Sequence, residues 1–197
     1  PGIFESKNER SLFLFSKVYS GGLRGIDGYV VQVEADVSDG LPGFYMVGSL
    51  ASEVKEAEER VRTALRNAGF RLSSKKITVN LSPANVRKEG TACDLPVAVA
   101  VLAAYGILEP SSLKETGFWG ELGLDGSIKP VRGVLSMVLA MAESGIKRCF
   151  LAEENVAEGI AADCLDIVRI RSLQEIIELL NGTGKLRIEK DQGFCAA

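Results

Sequence analysis

The sequence predicts one α/β domain of the α+β kind, with helices packed on a mixed sheet. Three observations carry that reading. Segments of strand character alternate with apolar stripes at helical spacing, joined by short connections. The densest region, residues 117–152, fits a hairpin, a helix and an all-apolar strand into one stretch. The 197 residues, 46% hydrophobic and 25% charged, suffice for one well-buried core and are short for two.

Residues 1–14 show no repeatable pattern and are read as an extension outside a domain that runs from 15 to 182. Residues 15–19 read as a first strand, with Gly21-Gly22 and Gly25 bracketing a turn. Next, Val31, Val33, Ala35 and Val37 alternate with Gln32, Glu34 and Asp36, the period of two that gives a strand one wet face. Gly40-Leu41-Pro42-Gly43 frees and fixes the backbone in turn, so it reads as a loop before a third strand at 44–47. Ser52 is placed to cap a helix, with Glu53 and Glu56 where carboxylates suit the helix dipole. Its apolar stripe is Val54, Ala57, Val61, Ala64, Leu65 and Ala68, ended by Gly69. Arg62 and Arg66, four residues apart, share another face.

Residues 77–81 form a strand, and 82–91 a loop. Asp94 can cap the following helix, Pro96 fits its first turn, and residues 95–105 are apolar enough for deep burial. Residues 118–124 and 128–131 read as a hairpin about Asp125-Gly126. Gly133 then breaks the strand, and Val134, Leu135, Val138, Leu139, Met141 and Ala142 form a helical stripe that Gly145 stops. Residues 149–151 and 167–170 read as buried strands. Ser172 and Glu175 make a capping box for a helix that Gly182 ends. Residues 183–197 read as a linker or tail.

Composition excludes several kinds of chemistry. With no histidine, the chain has no Ser-His-Asp triad, no Cys-His pair and no His-ligated metal site. Cys93, Cys149, Cys164 and Cys195 form no CxxC pair and read as reduced thiols, mostly in the core, so no metal site is expected. No apolar run approaches a bilayer span and no leader pattern opens the chain, which points to a cytoplasmic domain without membrane contact. The net charge of −3 hides an uneven distribution. Arg60, Arg62, Arg66, Arg71, Lys75, Lys76, Arg87 and Lys88 fall in one stretch that holds none of the 26 acidic residues. Such a stretch is a candidate phosphate-facing surface for DNA, set against the plainer reading of a solvated helix face and loop.

The run G-E-L-x-L-x-G-x-I-x-P-V-x-G-V from Gly120 to Val134, followed by Ser144-Gly145-Ile146-Lys147, resembles the Lon-type peptidase domain. Lys88-Glu89-Gly90-Thr91-Ala92 lies where that family carries its nucleophile loop. Toward the start, Phe15-Ser16-Lys17-Val18-Tyr19, Gly22-Leu23-Arg24-Gly25-Ile26, Gly40-Leu41-Pro42-Gly43-Phe44 and Val61-Arg62-Thr63-Ala64-Leu65 resemble the N-terminal domain of ComM-type proteins, YifB among them. These are magnesium-chelatase-like AAA+ ATPases linked to DNA uptake and recombination. The resemblance implies the Lon protease-like mixed sheet shared with ribosomal protein S5 domain 2. It also implies an AAA+ module beyond this domain that binds ATP and magnesium, a homo-oligomeric ring, and work on DNA such as branch migration in natural transformation.

A Lon-type peptidase needs a serine nucleophile and a lysine base. The resemblance places the nucleophile position at Ala92, which has no hydroxyl, and the base position at Leu135, which cannot accept a proton. The domain is therefore expected to have no catalytic residues, and its role to be assembly or DNA guiding. One alternative is a peptidase with a displaced nucleophile, Thr91 or Cys93, and Lys88 or Lys129 as base; another is a pure protein-interaction module. Gly182-Thr183-Gly184-Lys185 imitates the end of a phosphate-binding loop. It has Leu179 and Leu186 where that loop needs Gly and Ser or Thr, and it follows a helix, so no cofactor is expected in this domain.

Overall fold

The computed structural model describes residues 15–190. The strand with the alternating valines, β2, is an interior strand of the larger sheet. β1 (Phe15–Arg24) and β2 (Asp27–Ser38) form a long antiparallel hairpin, in register from Phe15↔Asp36 to Arg24↔Asp27. On the other side of β2 lies antiparallel β4 (Lys76–Ser82), and beyond it parallel β3 (Gly43–Val47) at the edge. Beyond β1 come three parallel strands, β5 (Thr116–Trp119), β8 (Arg148–Ala152) and β9 (Asp166–Ile170). The order is β3-β4-β2-β1-β5-β8-β9, and the mixed α/β fold with packed helices is the one expected. A second, two-stranded sheet pairs β6 (Glu121–Leu122) with β7 (Ile128–Lys129).

Helices cover both faces. α2 (Ala57–Asn67), α3 (Asp94–Ala104) and α6 (Leu173–Leu180) share one apolar cluster with Val31, Val33, Ala35 and Val37. On the opposite face α4 (Val134–Glu143) and α5 (Val156–Ile160) pack with Cys149, Leu151 and Ile167. Every residue of α3 is buried, which is why its sequence after Asp94 is apolar all round. Ser16 on β1 donates to the Ala100 carbonyl of that helix at 2.6 Å. Among the described residues no helix is long and apolar enough to cross a membrane.

Several expectations need correction. β1 continues through Gly21-Gly22 to Arg24, and the turn is Gly25-Ile26. The two glycines serve close packing, since a Cβ on Gly21 would lie 2.2 Å from Met137 Cγ. Ser52 does not cap its helix: Ala51 is the cap residue, and Glu56 separates a short α1 (Ser52–Lys55) from α2. Asp94 does not cap α3 either, because Cys93 holds that place and the Asp94 carboxylate is taken by Arg60. The hairpin about Asp125-Gly126 has a five-residue connection, 123–127, in which Asp125 Oδ1 accepts from the Ser127 amide and hydroxyl. Gly120 divides the expected strand: its N–H goes to Ala92 and its carbonyl accepts from Leu95, both beside the start of α3. In α4 the buried set is Val134, Met137, Val138 and Met141, while Leu135 and Leu139 face outward. Cys93 and Cys149 are core thiols, but Cys164 is exposed.

α5 was not legible in the sequence: it is short and contains Gly159, a poor helix former. Ser172 does cap α6, accepting from the Glu175 amide at 3.2 Å, and the Glu175 carboxylate reaches back to the Arg171 amide. After Gly182 the chain still packs on the fold. The Glu189 amide donates to Ile167 at 2.8 Å, and Arg169 joins Glu189 to Glu153. Hydrogen bonds from Arg171 and Arg169 hold the Glu153 carboxyl down at about 2. The proposed extension 1–14, residues 191–197 of the tail, and Cys195 lie outside the described residues.

Candidate nucleic-acid interface

The two positions that the Lon-type resemblance assigns to a dyad come first. Ala92, directly before α3, packs in one apolar cluster with Trp119 and Val134. Leu135, in the first turn of α4, is half-exposed, and its N–H donates to Glu158 Oε1 at 3.0 Å. Asn155 clamps the approach to α4, accepting from Val131 N–H and donating to Val131 C=O, both at 2.8 Å. Around these two positions the described contacts are packing and backbone hydrogen bonds.

The alternative nucleophiles are committed elsewhere. Thr91 Oγ1 donates to Glu121 Oε2. Burial pushes the Cys93 thiol up to about 12, so it is no thiolate at neutral pH. Lys88 is fully buried with its ammonium on the Pro83 carbonyl, and desolvation lowers its pKa. Lys129 is exposed on β7.

The eight basic candidates separate into groups. Arg60 is internal: its Nε and Nη2 donate to both oxygens of Asp94 at 2.6 and 2.9 Å, and Nη2 also reaches the Glu53 carbonyl. Burial pushes the Asp94 carboxyl up, with the Arg60 guanidinium pulling against it. Arg60 and Lys88 therefore face the fold, not the solvent.

Arg62, Arg66, Arg71 and Lys75 come together. A concavity of about 760 Å³ is lined by Arg62, Arg66, Gly69, Phe70, Arg71 and Leu72. A second, of about 220 Å³, shares Arg62 and Leu72 with it and reaches Lys75, Phe44 and Ile77, making one groove. The end of α2 builds this groove. Gly69, at φ +92°, turns the chain out of the helix. The Phe70 amide bonds to Leu65 C=O and the Gly69 amide to Arg66 C=O, the paired pattern of a Schellman ending. Beyond that ending Phe70 packs against the core cluster and shares the concavity with Arg66 and Arg71. Tyr105 Oη fixes the far side of the loop through Ser73 C=O at 2.9 Å.

Among the described residues Arg66 and Arg71 have no ion pair, Arg62 meets Glu58 at 3.4 Å, and Lys75 meets Asp39 at 2.5 Å. Lys76 lies outside the groove, over the Tyr45 ring at 5.6 Å. Arg87 does not line it and approaches Glu89 at 3.9 Å. Phe70 and Leu72, the apolar floor, escaped the sequence reading; their signal was the helix-stop Gly69 followed by an apolar residue. Gly182-Thr183-Gly184-Lys185 closes α6, with the amides of Thr183 and Gly184 both on Glu178 C=O, and leaves no phosphate-binding loop.

Fold and site together define a Lon-like mixed α/β domain. The chain belongs to the family of subunit ChlI of Mg-chelatase, which it matches over residues 33–155. It is 40% identical over 169 residues to the competence protein ComM of Haemophilus influenzae, covering 86% of this chain and 33% of that protein. It is 36% identical over 181 residues to the uncharacterized protein YifB of Escherichia coli strain K12, covering 92% of this chain and 32% of that protein. A Lon protease of Trichlorobacter lovleyi is 26% identical over 174 residues, 84% of this chain and 21% of the protease. The chain spans about a third of the length of its ComM and YifB relatives.

Proposed function

We propose that this is a catalytically silent Lon-like domain of a magnesium-chelatase-like AAA+ ATPase, and that its own part is to guide DNA during recombination. The observation that carries the reading is the convergence of Arg62, Arg66 and Arg71 on one groove, two of them without an ion pair among the described residues. Guanidinium groups in a concave site suit phosphate oxygens, which they meet with two parallel hydrogen bonds. In the whole protein ATP and magnesium belong to the AAA+ portion, and the assembly is a ring that works on DNA in the cytoplasm, as in branch migration during natural transformation. Against a displaced-nucleophile peptidase stand the buried, protonated Cys93, the engaged Thr91 hydroxyl and the buried Lys88.

The test is a titration of single-stranded and forked DNA at two salt concentrations, comparing the parent chain with Arg62→Glu/Arg66→Glu/Arg71→Glu. Binding should fall with salt and be lost in the variant. Binding insensitive to salt, or kept in full by the variant, would sink the guiding role. Absence of binding by either protein would leave assembly as the domain's part.

A further inference from the structure

We infer that the groove is a single-strand site in which a nucleobase stacks on Phe70 while Arg66 and Arg71 hold the flanking phosphates. This rests on the DNA-guiding reading and narrows it to one substrate class and one contact. Phe70 is partly buried: it packs against the core cluster and also lines the concavity that Arg66 and Arg71 line. An aromatic ring that shares a concavity with guanidinium groups lacking an ion pair among the described residues is the arrangement that binds single strands, with charge for the backbone and a flat apolar face for the base. A duplex cannot use that ring, because its base faces are hidden in its own stack. Its sequence-reading edges also lie in grooves that call for an inserted helix or ribbon, which residues 69–75 do not supply.

The positioning is built in. Phe70 is the residue whose amide closes the helix end on Leu65, at 2.9 Å, so the ring is held by backbone hydrogen bonding as well as packing. Leu72 extends the apolar floor toward Phe44 and Ile77 and gives a second base somewhere to rest, without the aromatic contribution. The only carboxylates paired with groove cations are Glu58, on Arg62, and Asp39, on Lys75, at the two flanks among the described residues. Among the described residues no carboxylate lines either concavity, where it would repel a backbone.

The experiment compares a short oligothymidylate with the same backbone carrying abasic positions, and with a duplex, on the parent chain, Phe70→Leu and Arg66→Glu/Arg71→Glu. Leucine keeps the core packing of residue 70 and removes the aromatic face; the abasic strand asks the same question of the unaltered protein. Loss of one stacked base should weaken the single strand between about 5-fold and about 100-fold, in both the Phe70→Leu and the abasic arms, and leave duplex binding unchanged. Equal affinity for normal and abasic strands, with binding still lost in the arginine variant, would overturn stacking and leave the guiding groove standing. Full binding by the arginine variant would overturn both. Duplex affinity falling in parallel with the single strand would overturn the single-strand assignment.

Discussion

Arg60 provides the sharpest test of how this fold uses its charges, since the sequence presents it as one more surface cation and the structure makes it an internal tie. Its side chain is 22% exposed, and that of its partner Asp94 is 1%. In Arg60→Met the buried carboxylate loses both guanidinium hydrogen bonds and cannot reach water. Breaking a buried pair in this way costs about 3–5 kcal/mol. For a chain of this size that lowers the melting temperature by about 10 °C. Asp94→Asn should cost less, because Arg60 keeps the Glu53 carbonyl and a Glu56 carboxylate at 3.7 Å and can lean toward solvent.

The deficit also has a pH signature. Burial already raises the Asp94 pKa, and removing the guanidinium raises it further. A carboxyl with a raised folded-state pKa contributes stability that is present below its unfolded value and lost as pH rises through the folded one. Arg60→Met should therefore approach the parent near pH 4 and fall furthest behind above neutrality, read by urea melts across that range. Arg60→Met/Asp94→Leu should recover most of the loss. A single variant as stable as the parent at pH 7, or a deficit that does not shrink in acid, would refute the internal role of this pair. So would loss of DNA binding by Arg60→Met at a temperature where it is folded.

Two further outcomes follow from the same geometry. Asn155→Ala removes both hydrogen bonds to Val131 and strands two backbone groups ahead of α4, so urea unfolding should show a loss of about 2–3 kcal/mol, and Asn155→Asp, which cannot donate to the Val131 carbonyl, should also lose stability. With Cys195 replaced by serine, a thiol reagent at neutral pH should modify Cys164 quickly and reach Cys93 and Cys149 only on unfolding; rapid modification of more than one thiol in the native state would contradict their burial.

Much of the fold was legible because its signals are periodic. β2 alternates without a break, α3 is apolar on every side, and Ser172 with Glu175 marks α6, so each appears where the pattern put it. What was not legible depends on contacts distant in sequence. Nothing near Gly21 says that Met137 will press on it, and nothing near Gly120 says that its backbone will bond to Ala92 and Leu95 in place of a strand neighbour. Asp94 was read as a local cap because Arg60, 34 residues away, cannot be paired with it by pattern alone. The basic stretch was visible as composition. That it divides into an interior cation, a buried lysine and a groove required the chain to be folded.

The placement of the groove also separates its role from the stability of the domain. α2 carries Glu58 and Glu59 in its first turn and Arg66 in its last, the arrangement that complements the helix dipole. Reversing Arg66 forfeits that interaction, worth about 0.3–1 kcal/mol at an exposed helix end. Reversing Arg71, in an exposed loop without an ion pair among the described residues, removes no contact that holds an element in place. Arg60, on the same helix, behaves in the opposite way, because its partner is buried. One helix thus offers an internal control for the guiding reading: substitutions at Arg66 and Arg71 should change DNA binding while the melting temperature stays nearly fixed, and substitution at Arg60 should do the reverse.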